Sequence, residues 1–228
     1  MSLQSIINIS NGLDINRRKV VGIQYARNEI PRINITPTLN PWRFTVAVPN
    51  SLRYSDARTI METIDTLDRA GPETISFSSN PKLSWIFRYQ GAATTTQLNG
   101  IRVQSFIGNQ LVLTNLPTIN FARTLFAPND LIMIGTNPYP FTSTTEIKRG
   151  INASVTITTN RPNILTSPVV NSAITVGNTC KFRMFCPNMP TYKLIPGGSV
   201  YDASGTLINN AYIEWSTDFN LYEYLGEV

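Results

Sequence analysis

The chain of 228 residues carries 19 Lys and Arg, 14 Asp and Glu and no histidine, with 42% hydrophobic and 14% charged residues. That length is enough to bury a substantial core, in one large β domain or two smaller ones. The lack of histidine excludes Ser-His and Cys-His nucleophilic pairs, His-ligated zinc and the usual general base at neutral pH; no run approaches the roughly 18 apolar residues of a membrane span.

From the start, Met1 to Ser10 lacks the basic start and unbroken apolar stretch of a secretion signal, so cytosolic synthesis is expected. Strands are predicted across 19–48. The clearest is Trp42 to Val48, where Trp42, Phe44, Val46 and Val48 share one parity and Arg43, Thr45 and Ala47 the other. A helix is predicted over 55–70, with Ser55 as N-cap and Gly71-Pro72 as the stop. Its apolar stripe is Ala57, Ile60, Met61, Ile64 and Leu67. Further strands are expected at 74–77, 83–89, 131–134, 154–158 and 181–185, with a hairpin over 101–113 turning at Gly108-Asn109 and a last pair around Ser204-Gly205. The stretches 160–172 and 187–196 are rich in Pro and polar residues and are expected to be loops, either ordinary surface loops or arms reaching a neighbour.

These elements predict a mainly β chain, an antiparallel β-sandwich or barrel with one packed helix. The division expected is a sandwich-plus-helix module from 1–90 with 199–228, and a β-rich insertion or second small β domain over 91–198. Cys180 and Cys186 fall on one strand parity about 20 Å apart by strand rise, beyond disulfide reach. Free thiols are therefore expected.

Little chemistry survives inspection. Two cysteines cannot make a tetrathiolate zinc site, and P-loop, dinucleotide and EF-hand motifs are absent from the sequence. No catalytic, metal-binding or cofactor-binding residue is assigned, and no enzyme is expected. Glu214, Asp218 and Glu223 are the one set of acids that would suit a glycoside hydrolase, but Tyr212, Ile213, Glu214 and Trp215 alternate like a half-wet strand. The basic residues are scattered and lack an RNP-like or zinc-finger context, which disfavours nucleic-acid recognition.

Charge is instead segregated. Residues 201–228 hold five carboxylates and no Lys or Arg, whereas the preceding residues hold 19 basic and nine acidic groups, a net of +10. Six aromatic residues run through the acidic segment, from Tyr201 to Tyr224, so it is expected to fold rather than to trail as a solvated tail. Fourteen of the 19 cations are Arg, the cation enriched at protein interfaces.

Two passages resemble ring-forming tail and baseplate proteins of tailed bacteriophages. One is RRKVVGIQYARNEI followed by NPWRFTVAVPNSLRYSDARTIMETIDTLDRAGPETISF. The other combines PNDLIMIGTNPYPFTSTTEIKRG, TITTNRPNI, KFRMFCPNMPTYKLIPGG and NNAYIEWSTDFNLYEYLG. The resemblance implies a tail-tube-like fold and a virion structural role at the distal tail or baseplate hub. It also implies a homo-oligomer, a hexameric ring joining the tail tube to the central spike and baseplate proteins, with genome DNA passing through its channel without specific binding. In such a head-to-tail ring, Arg17, Arg18 and Lys19 of one subunit are expected to meet Asp218, Glu223 and Glu227 of the next. Other readings are a head-tail connector or capsid-decorating subunit, and a carbohydrate-binding β-sandwich stacking sugars on Trp85, Trp215 or Tyr222.

Overall fold

The computed structural model describes residues 3–17, 21–25, 31–35, 40–50, 52–54, 58, 61–62, 71–166, 169–198, 200–201, 203–208 and 211–226, with backbone alone at 21–25, 31–35, 200 and 207–208. In chain order the elements begin with helix α1 (Leu3–Ile9) and strands β1 (Gly12–Asn16), β2 (Val21–Tyr25), β3 (Pro31–Ile35), β4 (Arg43–Ala47) and β5 (Glu73–Ile75). A single-turn helix, Thr95–Leu98, precedes β6 (Arg102–Ile107), β7 (Gln110–Thr114), β8 (Thr124–Phe126), β9 (Leu131–Ile134), β10 (Phe141–Thr142), β11 (Ile147–Lys148) and β12 (Val155–Thr158). Then come β13 (Ile174–Val176), β14 (Phe182–Phe185), β15 (Tyr192–Pro196), β16 (Val200–Tyr201), β17 (Leu207–Ile208), β18 (Ala211–Trp215) and β19 (Phe219–Glu223). The chain is mainly β with antiparallel pairing, as expected, and no closed barrel forms among the described residues.

Two compact units divide it. The first comprises Met1–Ile15, Arg43–Ser84 and Arg183–Tyr224; the second comprises Asn16–Trp42, Trp85–Phe182 and Leu225–Val228.

The first unit is built on a five-stranded sheet in the order β1-β4-β19-β14-β5. Strand alternation decides its inner face. Phe44 and Val46 of β4 are buried while Arg43, Thr45 and Ala47 are half-buried, and Phe219 and Leu221 of β19 are buried opposite them, in register Phe219↔Val46 and Leu221↔Phe44. Each such side chain removed from water contributes about 1.5–3 kcal/mol. Gln4 of α1 accepts the Ser76 N–H at 2.7 Å and donates to its carbonyl at 2.8 Å, fixing the helix beside β5.

Asn80 closes the C-terminal end of α1. Its amide nitrogen donates to the Ile7 and Ser10 carbonyls at 2.5 and 3.0 Å, and its oxygen accepts the Lys82 and Leu83 N–H groups at 2.8 and 3.2 Å. These bonds overturn the strand expected at 83–89. Residues 81–87 are turns, because the Asn80 side chain bends the backbone. Leu83 and Phe87, four apart, are buried, whereas Trp85 is 68% exposed.

A second correction concerns 187–196. Tyr192–Pro196 is a strand, pairing Tyr192↔Trp215 through Pro196↔Ala211. The three prolines of 187–196, Pro187, Pro190 and Pro196, read as loop together with Lys193, but alternate residues of an edge strand need no ladder donor, so Pro196 is tolerated there. The ribbon leaves Leu194 and Ile195 exposed.

The second unit places an order β12-β7-β6 and an order β10-β9-β13 around one apolar cluster, a sandwich-like arrangement. Leu111 and Leu113 of β7, Ile132 and Ile134 of β9, and Phe106, Phe141 and Ile157 meet in it. The expected hairpin over 101–113 is β6–β7. Gly108 takes φ +53° and Asn109 does not, the sign pattern of a type II′ turn. A bulge between Val103 and Ser105 restores inward parity, so that both Val103 and Phe106 are buried. The loop after residue 160 is fastened to its own unit: Asn163 donates N–H to the Gly108 carbonyl at 2.8 Å and Nδ2 to the Phe106 carbonyl at 3.2 Å, and Asn171 N–H reaches the Val103 carbonyl at 2.7 Å. Val170, between these anchors, is 64% exposed.

The helix expected at 55–70 lies mostly outside the described residues. Tyr54, Arg58, Met61 and Glu62 are helical, with Met61 buried and Arg58 and Glu62 exposed. The Arg58–Glu62 pair, 3.9 Å apart and about 70% exposed on both sides, adds little stability. No helix of the described residues is long and apolar enough to cross a membrane.

Both cysteines are free; Cys180 is buried and Cys186 half-buried. Burial pushes the Cys180 thiol up to about 12, so it stays protonated and unreactive at neutral pH. Alkylation of the native protein is expected to modify Cys186 alone and both thiols after denaturation, as read by intact mass. Asn80→Ala removes the side-chain partners of the Ser10 carbonyl and the Lys82 N–H, while the Ile7 carbonyl keeps Ser10 and the Leu83 N–H keeps the residue-80 carbonyl. The substitution is expected to lower stability by about 2 kcal/mol, measured by urea denaturation.

Candidate functional site

The six residues expected to form a subunit contact fall in different surroundings. Arg18, Lys19 and Glu227 lie outside the described residues. Arg17, Asp218 and Glu223 are described, and they differ in burial.

Arg17 follows β1 and is half-buried. Its guanidinium carbon stands 4.8 Å from the centroid of the Trp42 ring. Nη1 donates to Thr142 Oγ1 at 3.2 Å and Nη2 to Asn129 Oδ1 at 3.0 Å. Burial pulls its pKa below the ordinary arginine value, and a guanidinium keeps its charge in proteins. It contributes one wall of a cleft of about 340 Å³ whose other walls are Asn40, Asn129, Thr142, Ser143, Thr144 and Asn160. None of these lining residues is acidic.

The cleft rests on a rigid base. Trp42 is 1% exposed, donates Nε1–H to the Pro140 carbonyl at 3.1 Å, and meets Phe87 and Phe182 edge-on at 6.1 and 5.2 Å. The same Pro140 oxygen accepts from Arg161 Nη2 at 3.0 Å. Arg161 is 1% exposed and lies over the Phe141 ring at 5.2 Å, which lowers the cost of burying its charge. Asn160 Oδ1 accepts the Thr142 N–H at 2.9 Å, and Asn40 Nδ2 donates to the Asn160 carbonyl at 3.3 Å.

Asp218 lies at the turn between β18 and β19, exposed beside exposed Ser216 and Thr217. Glu223 differs from what its position in an acidic segment suggests. It is 6% exposed, the third inward residue of β19 after Phe219 and Leu221, and has an interaction partner within the chain. Glu214 is exposed on β18 opposite Lys193. Trp215 is 7% exposed and packs edge-to-face on Phe219 at 5.2 Å, so it is core rather than a sugar platform; Trp85 is exposed.

The residues around Arg17 were not read from the sequence. Asn129 is in the left-handed region at φ +69°, within a Pro128-Asn129-Asp130 turn. Pro-Asn-Asp is itself a turn signal in the sequence. Asp130, in the same turn, is 4% exposed and its two oxygens accept the Gln90 and Ala127 N–H groups at 3.0 and 2.8 Å.

These bonds hold the segment beside a larger cleft, of about 510 Å³, lined by residues that include Arg88, Tyr89, Thr94, Leu98, Asn99 and Ile174. Tyr89 donates its hydroxyl proton to the Leu125 carbonyl. A Cβ at Gly91 would overlap both groups, which accounts for glycine there. Burial, reinforced by the charge of Asp130, pushes the Tyr89 hydroxyl up to about 12, so it is a neutral donor and not a base. Among the described residues no three His, Cys, Asp or Glu side chains gather as a metal site.

No protein-family model matches the chain, and a search of curated proteins finds no match.

Asp130 gives the pH dependence a sign. Burial raises its pKa above that of the unfolded chain, although two backbone N–H groups oppose the shift. The native state therefore holds this proton more tightly, and the stability it confers is present at low pH and lost as pH rises from about 4 through the folded value. Asp130→Asn is expected to gain stability relative to the unsubstituted chain between pH 4 and pH 7, measured as the difference in urea midpoints.

Proposed function

We propose that the chain is a structural subunit of a tailed-bacteriophage virion, forming a ring at the distal tail or baseplate hub that joins the tail tube to the central spike. The observation that carries this reading is the state of the acidic segment. It is folded into β18 and β19 with Glu214 and Asp218 directed to solvent, while the rest of the chain carries the opposite net charge. Complementary charges on one folded chain steer and register head-to-tail contacts between copies. The family resemblance of segments 17–30, 40–77, 128–150, 156–164, 181–198 and 209–226 points the same way, and the low overall charge suits a surface largely covered by other protein.

A second reading, a carbohydrate-binding β-sandwich, rests on Trp85, which is 68% exposed. Retention on polysaccharide columns separates the two.

Negative-stain images and sedimentation velocity of the purified chain are expected to show a closed sixfold ring with a central channel. A chain that stays monomeric at every accessible concentration rules the reading out.

A further inference from the structure

We propose that the cleft holding Arg17 receives the Asp218 carboxylate of a second copy of this chain. This rests on the ring reading and narrows it to one contact.

Arg17 is a half-buried cation whose two terminal nitrogens, among the described residues, bond neutral oxygens, Thr142 Oγ1 and Asn129 Oδ1. No carboxylate of the described residues contacts it, and desolvation is the one cause acting on its pKa. A half-buried charge with no counter-ion among the described residues carries a desolvation cost that an arriving carboxylate offsets. Trp42 beneath the guanidinium and the Thr142 and Asn129 oxygens hold it in one orientation, so little ordering is left to be done when the partner docks.

The acids of the carboxyl-terminal segment are not equivalent. Glu223 is buried and already partnered in its own chain. Glu214 stands mid-strand with the opposite charge of Lys193 in register across from it. Asp218 is exposed in the three-residue link between β18 and β19, after the exposed small hydroxyl residues Ser216 and Thr217 and before the buried Phe219. That link offers a short carboxylate that fits a cleft of about 340 Å³ whose lining is otherwise amide and hydroxyl.

The test uses charge exchange in the full-length chain. Arg17→Glu and Asp218→Arg are each expected to raise the concentration needed for half-assembly by about thirtyfold or more, the loss typical of truncating one partner of a desolvated pair. Circular dichroism and urea midpoints verify that each variant is folded. An equimolar mixture of the two single variants is then expected to reassemble. In an alternating ring the two substituted positions face each other across one interface with their charges exchanged, and unchanged Arg17 faces unchanged Asp218 across the next. No contact within one chain can give that rescue. Rings formed by either variant at the unsubstituted concentration, or a mixture that fails to reassemble, overturn this contact while leaving the ring reading in place. A monomeric unsubstituted chain overturns both. If Arg17→Glu abolishes binding to double-stranded DNA and leaves ring formation unaffected, the cleft takes nucleic-acid phosphate and the proposal fails.

Discussion

The carbonyl oxygen of Pro140 holds two donors at once, Trp42 Nε1 at 3.1 Å and Arg161 Nη2 at 3.0 Å. Both belong to side chains that water scarcely touches. The indole is large and apolar with one polar atom, and the guanidinium is costly to bury, so each needs that oxygen for a different reason. With the indole pinned, its outer face becomes a fixed floor for Arg17, and the Phe87 and Phe182 rings fill the space around it. The cleft above is therefore polar, charged and preformed because an apolar assembly beneath it is tightly fixed. A smaller ring at position 42 would alter the cleft before it altered any residue lining it.

The two compact units solve the problem of chain connection differently. In the second, neighbouring strands are mostly close in sequence, β6 with β7 and β9 with β10, and the core around Phe106, Leu111 and Phe141 can form from local pairings. In the first, β19 sits between β4 and β14, joining residues about 175 apart, as in Asn220↔Thr45. Pairings of that separation form late, because chain-closure entropy is lost before contacts reward it. The acidic segment is thus central to the sheet and not an appendage: its inward residues, Phe219, Leu221 and Glu223, are fixed by the sheet, and this leaves the turn at Asp218 to face outward.

Where alternation was strong, the sequence was sufficient. Trp42 to Val48 and Tyr212 to Trp215 announce their inner faces, and Gly108-Asn109 announces its turn. The strand expected at 83–89 failed because Leu83, Trp85 and Phe87 mimic alternation while the deciding residue, Asn80, lies upstream and acts through four side-chain hydrogen bonds. Tyr192–Pro196 was missed for the opposite reason: proline argues against a central strand and says nothing against an edge. At the candidate site, sequence named Arg17 and Asp218 by charge alone. It could not distinguish Asp218 from Glu223, since burial of one carboxylate depends on the parity of β19 between two distant strands, nor could it foresee Thr142 and Asn129, which meet Arg17 from more than 100 positions away.

The ribbon of β15 and β18 has a bearing on how such a chain survives in a crowded cell. β15 displays Leu194 and Ile195 on an open margin of the kind that recruits stray strands into fibres. Lys193 puts a charge within it, and Pro196 withholds an N–H and ends it after five residues. The margin is short and interrupted, which disfavours runaway stacking of like copies. A margin broken up in this way offers like copies too few consecutive ladder groups to build on.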